Sequence, residues 1–123
     1  MAVPLRFVLD EHLRGLLWVA VQHHNAKGLP PLDVTQVGDP PDLPRRTPDP
    51  DILIWAERND RVVVTLDRST MPVHFFGHLA SGRHSPGVVL LRSKSLKAAV
   101  SDLETLTYAS LPGEWFDQID YFP

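Results

Sequence analysis

Apolar runs four or five residues long alternate along this chain with stretches in which apolar positions recur every three or four residues. The runs are Leu5-Arg6-Phe7-Val8-Leu9, Arg61-Val62-Val63-Val64-Thr65 and Pro86-Gly87-Val88-Val89-Leu90-Leu91. Unbroken and rich in β-branched residues, they suit strands buried on both faces. Weaker patterns predict a short strand over Asp33 to Val37 and an edge strand over Ile119 to Phe122. Between them, Leu13, Leu16, Leu17, Ala20 and Val21 mark one helix face, which Gly28 and Pro30-Pro31 stop. Asp49 as N-cap with Pro50 at the first helical position opens a second helix, with Ile52, Leu53, Trp55 and Ala56 facing inward. A third starts at Ser69 or Thr70 with Pro72 and runs to about Gly82. A fourth covers Ser95 to Leu106, with Leu96, Val100, Leu103 and Leu106 inward. This βαβαβαβα order predicts an α/β fold: a single domain over residues 1–123, with a mostly parallel central sheet and helices on both faces. Residues 38–50 carry five prolines and cannot be regular until their end. The aromatic tail 113–123 is expected to dock on the domain.

Two predicted strands end in a carboxylate. If they are parallel neighbours, Asp10 and Asp67 emerge at one carboxyl edge, where open α/β sheets place ligands. Asp49 or Asp51, opening the helix between them, can complete an acidic cluster, with Glu11 in reach of a metal-bound water. Carboxylates gathered this way repel by up to about 4 kcal/mol per pair at roughly 4 Å and an effective dielectric near 20, so a divalent cation is their natural companion. Asp10 and Asp49 have an alternative role as helix caps, and Asp51 suits the dipole of a first turn. Asp67 precedes the Ser69-Thr70 helix start and is not needed there as a cap. Thr65, two residues before Asp67, shares its face and can hold a water or pair with backbone. Arg45, Arg46, Arg68, Arg83, Arg92, Lys94 and Lys97 are expected in connections at the same edge, as a rim for phosphates.

Composition narrows the chemistry. With no cysteine in 123 residues, thiolate, iron–sulfur and cysteine-zinc sites are excluded, and a reducing cytoplasm is the expected location. A net charge of −3 argues against broad nonspecific nucleic-acid binding but leaves room for a local basic rim. The Met1-Ala2-Val3-Pro4 start lacks a signal-peptide pattern, and no uncharged run approaches the ~20 residues of a membrane helix. His74 and His78 stand at i, i+4, but Phe75 occupies the place where a zinc protease needs glutamate; His23-His24 reads as the exposed end of a helix. No glycine-rich phosphate loop follows the first strand, and no nucleophile elbow is present.

The combination of Leu9-Asp10-Glu11-His12-Leu13, Thr47-Pro48-Asp49-Pro50-Asp51-Ile52-Leu53 with Trp55-Ala56, Val64-Thr65-Leu66-Asp67 with Ser69-Thr70-Met71-Pro72, and Pro86-Gly87-Val88-Val89 resembles the compact bacterial PIN-like proteins, which are similar to the toxins of toxin–antitoxin pairs. The resemblance spans nearly the whole chain. It implies a PIN fold, magnesium- or manganese-dependent cleavage of RNA, often an antitoxin partner that blocks the site, and commonly a homodimer, for which Trp18, Phe75 and Phe76 offer an apolar interface. By motif, Asp10, Asp49 and Asp67 match the family's catalytic, metal-binding acids, with Asp51 and Glu11 as lesser metal candidates. Thr65 and Ser69 would position water, and Arg45, Arg46 and Arg68 would bind phosphate. The chain departs from the family at Leu66, where relatives often carry His, in a longer and more basic loop from Asp39 to Arg46, and in lacking a fourth acid, for which Ser69 is the nearest polar residue. That gap motivates a second expectation, a non-catalytic partner-binding module. A third is a receiver-like phosphoacceptor built on Asp10-Glu11, Asp67 and Lys94, against which stands Ser95 in the place of a proline after the lysine.

Overall fold

The computed structural model describes residues 4–93 and 95–123. Strands β1 (Arg6–Leu9), β2 (Asp33–Gln36), β3 (Val62–Thr65), β4 (Val88–Leu91) and β5 (Ile119–Phe122) form one sheet in the order β2-β1-β3-β4-β5. Every neighbouring pair is parallel. The chain leaves β1 toward β2 and then doubles back to β3. The β1/β3 crevice is therefore the topological switch point, where doubly wound sheets of this strand order hold ligands.

Alternation along the strands divides the core in two. Phe7, Leu9, Val62, Val64, Val89 and Leu91 face helices α1 (Leu16–Ala26) and α4 (Leu96–Ala109). Val8, Val63 and Val88 face α2 (Asp49–Asn59) and α3 (Met71–Ala80), packing on Ile52, Leu53, Ala56, Met71 and Phe75. The sheet thus has helices on both faces, as the element order predicts.

Several local expectations are corrected. The first helix is not continuous: Asp10 caps a 3-10 turn over Glu11–Leu13, and Gly15, at φ 96°, redirects the chain into α1. The inward face then becomes Leu17, Val21 and His24, and Leu16 is exposed. His24 is buried rather than exposed, its Nε2 lying 3.0 Å from the Pro30 carbonyl and 3.3 Å from Glu104. The N-cap of α2 is Pro48, whose carbonyl accepts from Asp51 N at 2.9 Å and Ile52 N at 3.0 Å, so Asp49 is the first helical residue. In α4, capped by Ser95, Ala99, Leu103, Leu106 and Thr107 are buried and Leu96 is exposed. Phe75 is fully buried against the sheet and cannot serve an interface between subunits.

The proline-rich loop is ordered by turns and one anchor. Leu43 is fully buried, its N–H bonds the Pro40 carbonyl at 3.0 Å, and its own carbonyl accepts from Gly38 N at 2.8 Å. The tail docks as expected through β5, but after a short helix α5 (Pro112–Trp115) that the sequence pattern does not announce. Trp115 from α5 joins the core. Asp117, at φ 58°, receives Ser85 N and pairs with His84 Nδ1, each at 2.8 Å. No helix among the described residues is long and apolar enough to cross a membrane.

Candidate functional site at the switch point

The crevice at the carboxyl ends of β1 and β3 is built from backbone register outward. Leu9 pairs with Val64, and Asp10 N donates to the Val64 carbonyl at 3.2 Å, so Asp10 leaves the sheet directly beside Thr65. The turn beyond it is fixed from β2, where the buried Gln36 side chain accepts from Gly15 N at 2.8 Å. Asp10 is only 3% exposed. One carboxylate oxygen accepts from Leu13 N at 3.3 Å and the other from the Thr65 hydroxyl. Thr65, with no exposure of its own, also accepts from Asp67 N at 3.0 Å and so ties the two acid-bearing strand ends together.

Asp67 is turned toward its own loop. Its Oδ1 accepts from Ser69 N and Thr70 N, both at 2.9 Å, and its Oδ2 accepts from the Thr70 hydroxyl. Contrary to expectation, then, Asp67 does organise the start of α3. Thr70 supplies a hydroxyl to Asp67, while Ser69 contributes its N–H. Asp49, in the first turn of α2, is half-buried, and its carboxylate makes no hydrogen bond or salt bridge among the described residues.

Charge couples these groups. Burial pushes the Asp10 carboxyl above the usual range; the Thr65 bond and His12 pull it back, and Asp49 adds to the rise. Asp49 is raised as well, first by burial and then by Asp67, with His74 and His12 opposing. Asp67 is lowered by the Thr70 hydroxyl and the N–H groups it accepts. His12 and His74 are members of this site that sequence reasoning passed over. In the sequence His12 stands beside two acids that mask it, and the spacing of His74 points to His78 instead.

The acids sense one another without converging on one point. Among the described residues, no group of three or more histidine or acidic side chains is placed to hold a metal ion as it stands. The expected three-carboxylate cluster is corrected to that extent, because Asp10 and Asp67 spend their oxygens on nearby donors. The donor set nonetheless fits magnesium or manganese in kind. It is all oxygen, it includes the uncommitted Asp49, and such ions need only one or two carboxylates beside their waters.

Comparison of the chain with family models, curated proteins and solved structures returns no match.

The remaining candidates separate. Burial pushes the Glu11 carboxyl up, but Arg45 and the Arg46 N–H outweigh this and hold it below the ordinary range; the Arg45 Nε to Glu11 Oε1 distance is 2.7 Å. Asp51 is exposed and lines a cavity under the proline-rich loop, not the crevice. Arg68 and Arg92 gather over the Tyr121 ring of β5, their guanidinium carbons 5.8 and 4.3 Å from its centroid. Arg83 is corrected out of the rim: it precedes β4, at the opposite edge, and pairs with Glu57 at 3.5 Å. Lys94 lies outside the described residues.

A buried carboxyl with a raised pKa opposes folding when ionised. Asp10→Asn is therefore expected to raise Tm by about 2 °C or more at pH 7.5. Above the raised folded pKa the wild-type charge is disfavoured by burial. As pH falls through that value, the wild type takes up a proton and the variant's advantage disappears. Thermal unfolding at pH 7.5 and pH 4 measures the difference; an equal or lower Tm for the variant at pH 7.5 would show that the Thr65 and Leu13 bonds outweigh burial.

Proposed function

We propose that the β1/β3 crevice is a divalent-cation-dependent ribonuclease site. The observation that carries this reading is Asp49, a half-buried carboxylate with no structural partner among the described residues and a pKa raised by burial and by Asp67. It is held where it is electrostatically costly, and acids of that kind are characteristic of active sites. Asp10, fixed by Thr65, supplies a second raised acid, and Asp67 a negative charge locked in place by the α3 start. When bound, magnesium or manganese would supply a polarised phosphate and an activated water. Asp49 can accept a proton more readily than an ordinary aspartate, so it suits the role of general base toward an attacking water. Arg68, steadied over Tyr121, suits a phosphate on the β5 side.

A second reading, a partner-binding module, is favoured by Leu66, Val73 and Phe76, all exposed and carried by the β3–α3 segment beside the acids. An antitoxin that blocks the crevice would use the same surface. The phosphoacceptor reading fits least well, since both oxygens of Asp67 already accept hydrogen bonds. Incubation of total RNA with purified protein and manganese, with and without chelator, tests the first reading. Discrete fragments that vanish with chelator are expected. Intact RNA in every lane would overturn the nuclease and leave the partner-binding module.

A further inference from the structure

The proline-rich loop and the outer face of α2 border an open cavity of about 570 Å³, within the size range of small-ligand sites. Its chemistry is divided. Ile54, Trp55, Pro44 and Pro48 give it an apolar wall, and Arg46 and Arg58 bring guanidinium groups that form no salt bridge among the described residues. Asp51 adds an acceptor at the same surface. Trp55 is 8% exposed, and its indole N–H is buried with no acceptor among the described residues.

Each part asks something different of a ligand. The arginines want an anion; the apolar wall wants a flat or hydrophobic body. Asp51 wants a hydrogen-bond donor. Inorganic phosphate meets the first demand alone and is repelled by Asp51. A nucleotide meets all of them, with a phosphate for the arginines, a planar base for the wall, and base-edge groups that donate to Asp51. Arg45, another lining residue, reaches Glu11 Oε1 at 2.7 Å, and Glu11 directly follows Asp10, so one contact ties the edge of the cavity to the turn that carries Asp10.

We propose that this cavity is a nucleotide subsite for single-stranded RNA, holding one base against Ile54 and Trp55 and its phosphate at Arg46 and Arg58, next to the strand segment in the crevice. The proposal rests on the ribonuclease reading for its ligand class, but binding tests it separately from cleavage. The full chain is titrated in chelator with AMP, with a 2′-O-methyl tetranucleotide and with inorganic phosphate, while the indole N–H resonances of Trp18, Trp55 and Trp115 are followed by NMR. AMP and the tetranucleotide are expected to shift the Trp55 resonance, and phosphate to leave it in place. Arg58→Ala, on the exposed side of α2, is expected to weaken binding about tenfold or more. So is Arg46→Gly, which suits the φ of 67° at that position and keeps the loop. A Trp55 resonance that stays still, an equal response to phosphate, or undiminished binding by both variants would overturn the subsite. Trp55-linked binding without RNA cleavage would keep the subsite and sink the nuclease; cleavage without such binding would do the reverse.

Discussion

Asp49→Asn is expected to lower manganese-dependent RNA cleavage by about 100-fold or more while moving Tm by no more than about 2 °C. The two halves of this expectation have different origins. Activity falls because the variant cannot take a proton or offer an anionic oxygen in a crevice where Asp10 and Asp67 are already committed to Leu13, Thr65, Ser69 and Thr70. Stability hardly moves because two small effects oppose. Removing the charge relieves the burial and repulsion that raise the Asp49 pKa. It also gives up the favourable interaction of an acid with the first turn of α2, worth about 0.3–1 kcal/mol. Full activity retained by Asp49→Asn would remove the residue from the chemistry. Asp67→Asn is a less clean probe, because losing acceptors for Ser69, Thr70 and the Thr70 hydroxyl also loosens α3.

The largest stability effect is expected at Gly87, just before β4. Its φ is +131°, and an added Cβ would lie 2.6 Å from the Trp115 carbonyl oxygen and 2.8 Å from the Trp115 Cβ. Neither contact can be relieved by a side-chain rotation, since one is backbone and the other is held by it. The residue is also tied on both sides, with its N–H on Ser85 Oγ at 3.0 Å and its carbonyl accepting from Val63 N at 3.0 Å. Gly87→Ala must therefore strain the backbone or push α5 outward, withdrawing Trp115 from the core. A loss of about 2–4 kcal/mol is expected, a fall in Tm of about 10 °C for a domain of this size. Thermal unfolding followed by circular dichroism measures it, and an unchanged Tm would mean that the tail yields without cost.

The strands and the parallel sheet were legible because β-branched runs such as Val62-Val63-Val64 have few alternatives once both faces must be covered. The shared edge of Asp10 and Asp67 followed from the same pattern. What escaped depends on side-chain partners that no periodicity records. The direction of the Asp67 carboxylate is decided by two N–H groups and a hydroxyl within three residues of it. The burial of His24 follows from the Gly15 break, which rotates the face of α1 and gives that imidazole the Pro30 carbonyl and Glu104. Phe75 and Phe76 are indistinguishable by type, and only the docking of α3 sends one into the core and the other to the surface. The cavity under the loop was illegible for a related reason: it needs Leu43 pinned inside so that the prolines stand off α2.

Among the described residues, both margins of the sheet are open, since β2 and β5 each pair on one side only. Such margins are templates for intermolecular strand addition, the usual route from a soluble parallel sheet to aggregates. Here each is four residues long and carries an exposed acid, Asp33 in β2 and Asp120 in β5. A second copy laid edge to edge would have to pair over a short ladder flanked by charged side chains, Asp33 with its Arg61 partner on one margin and Asp120 on the other. The two short margins thereby give strand addition little to build on.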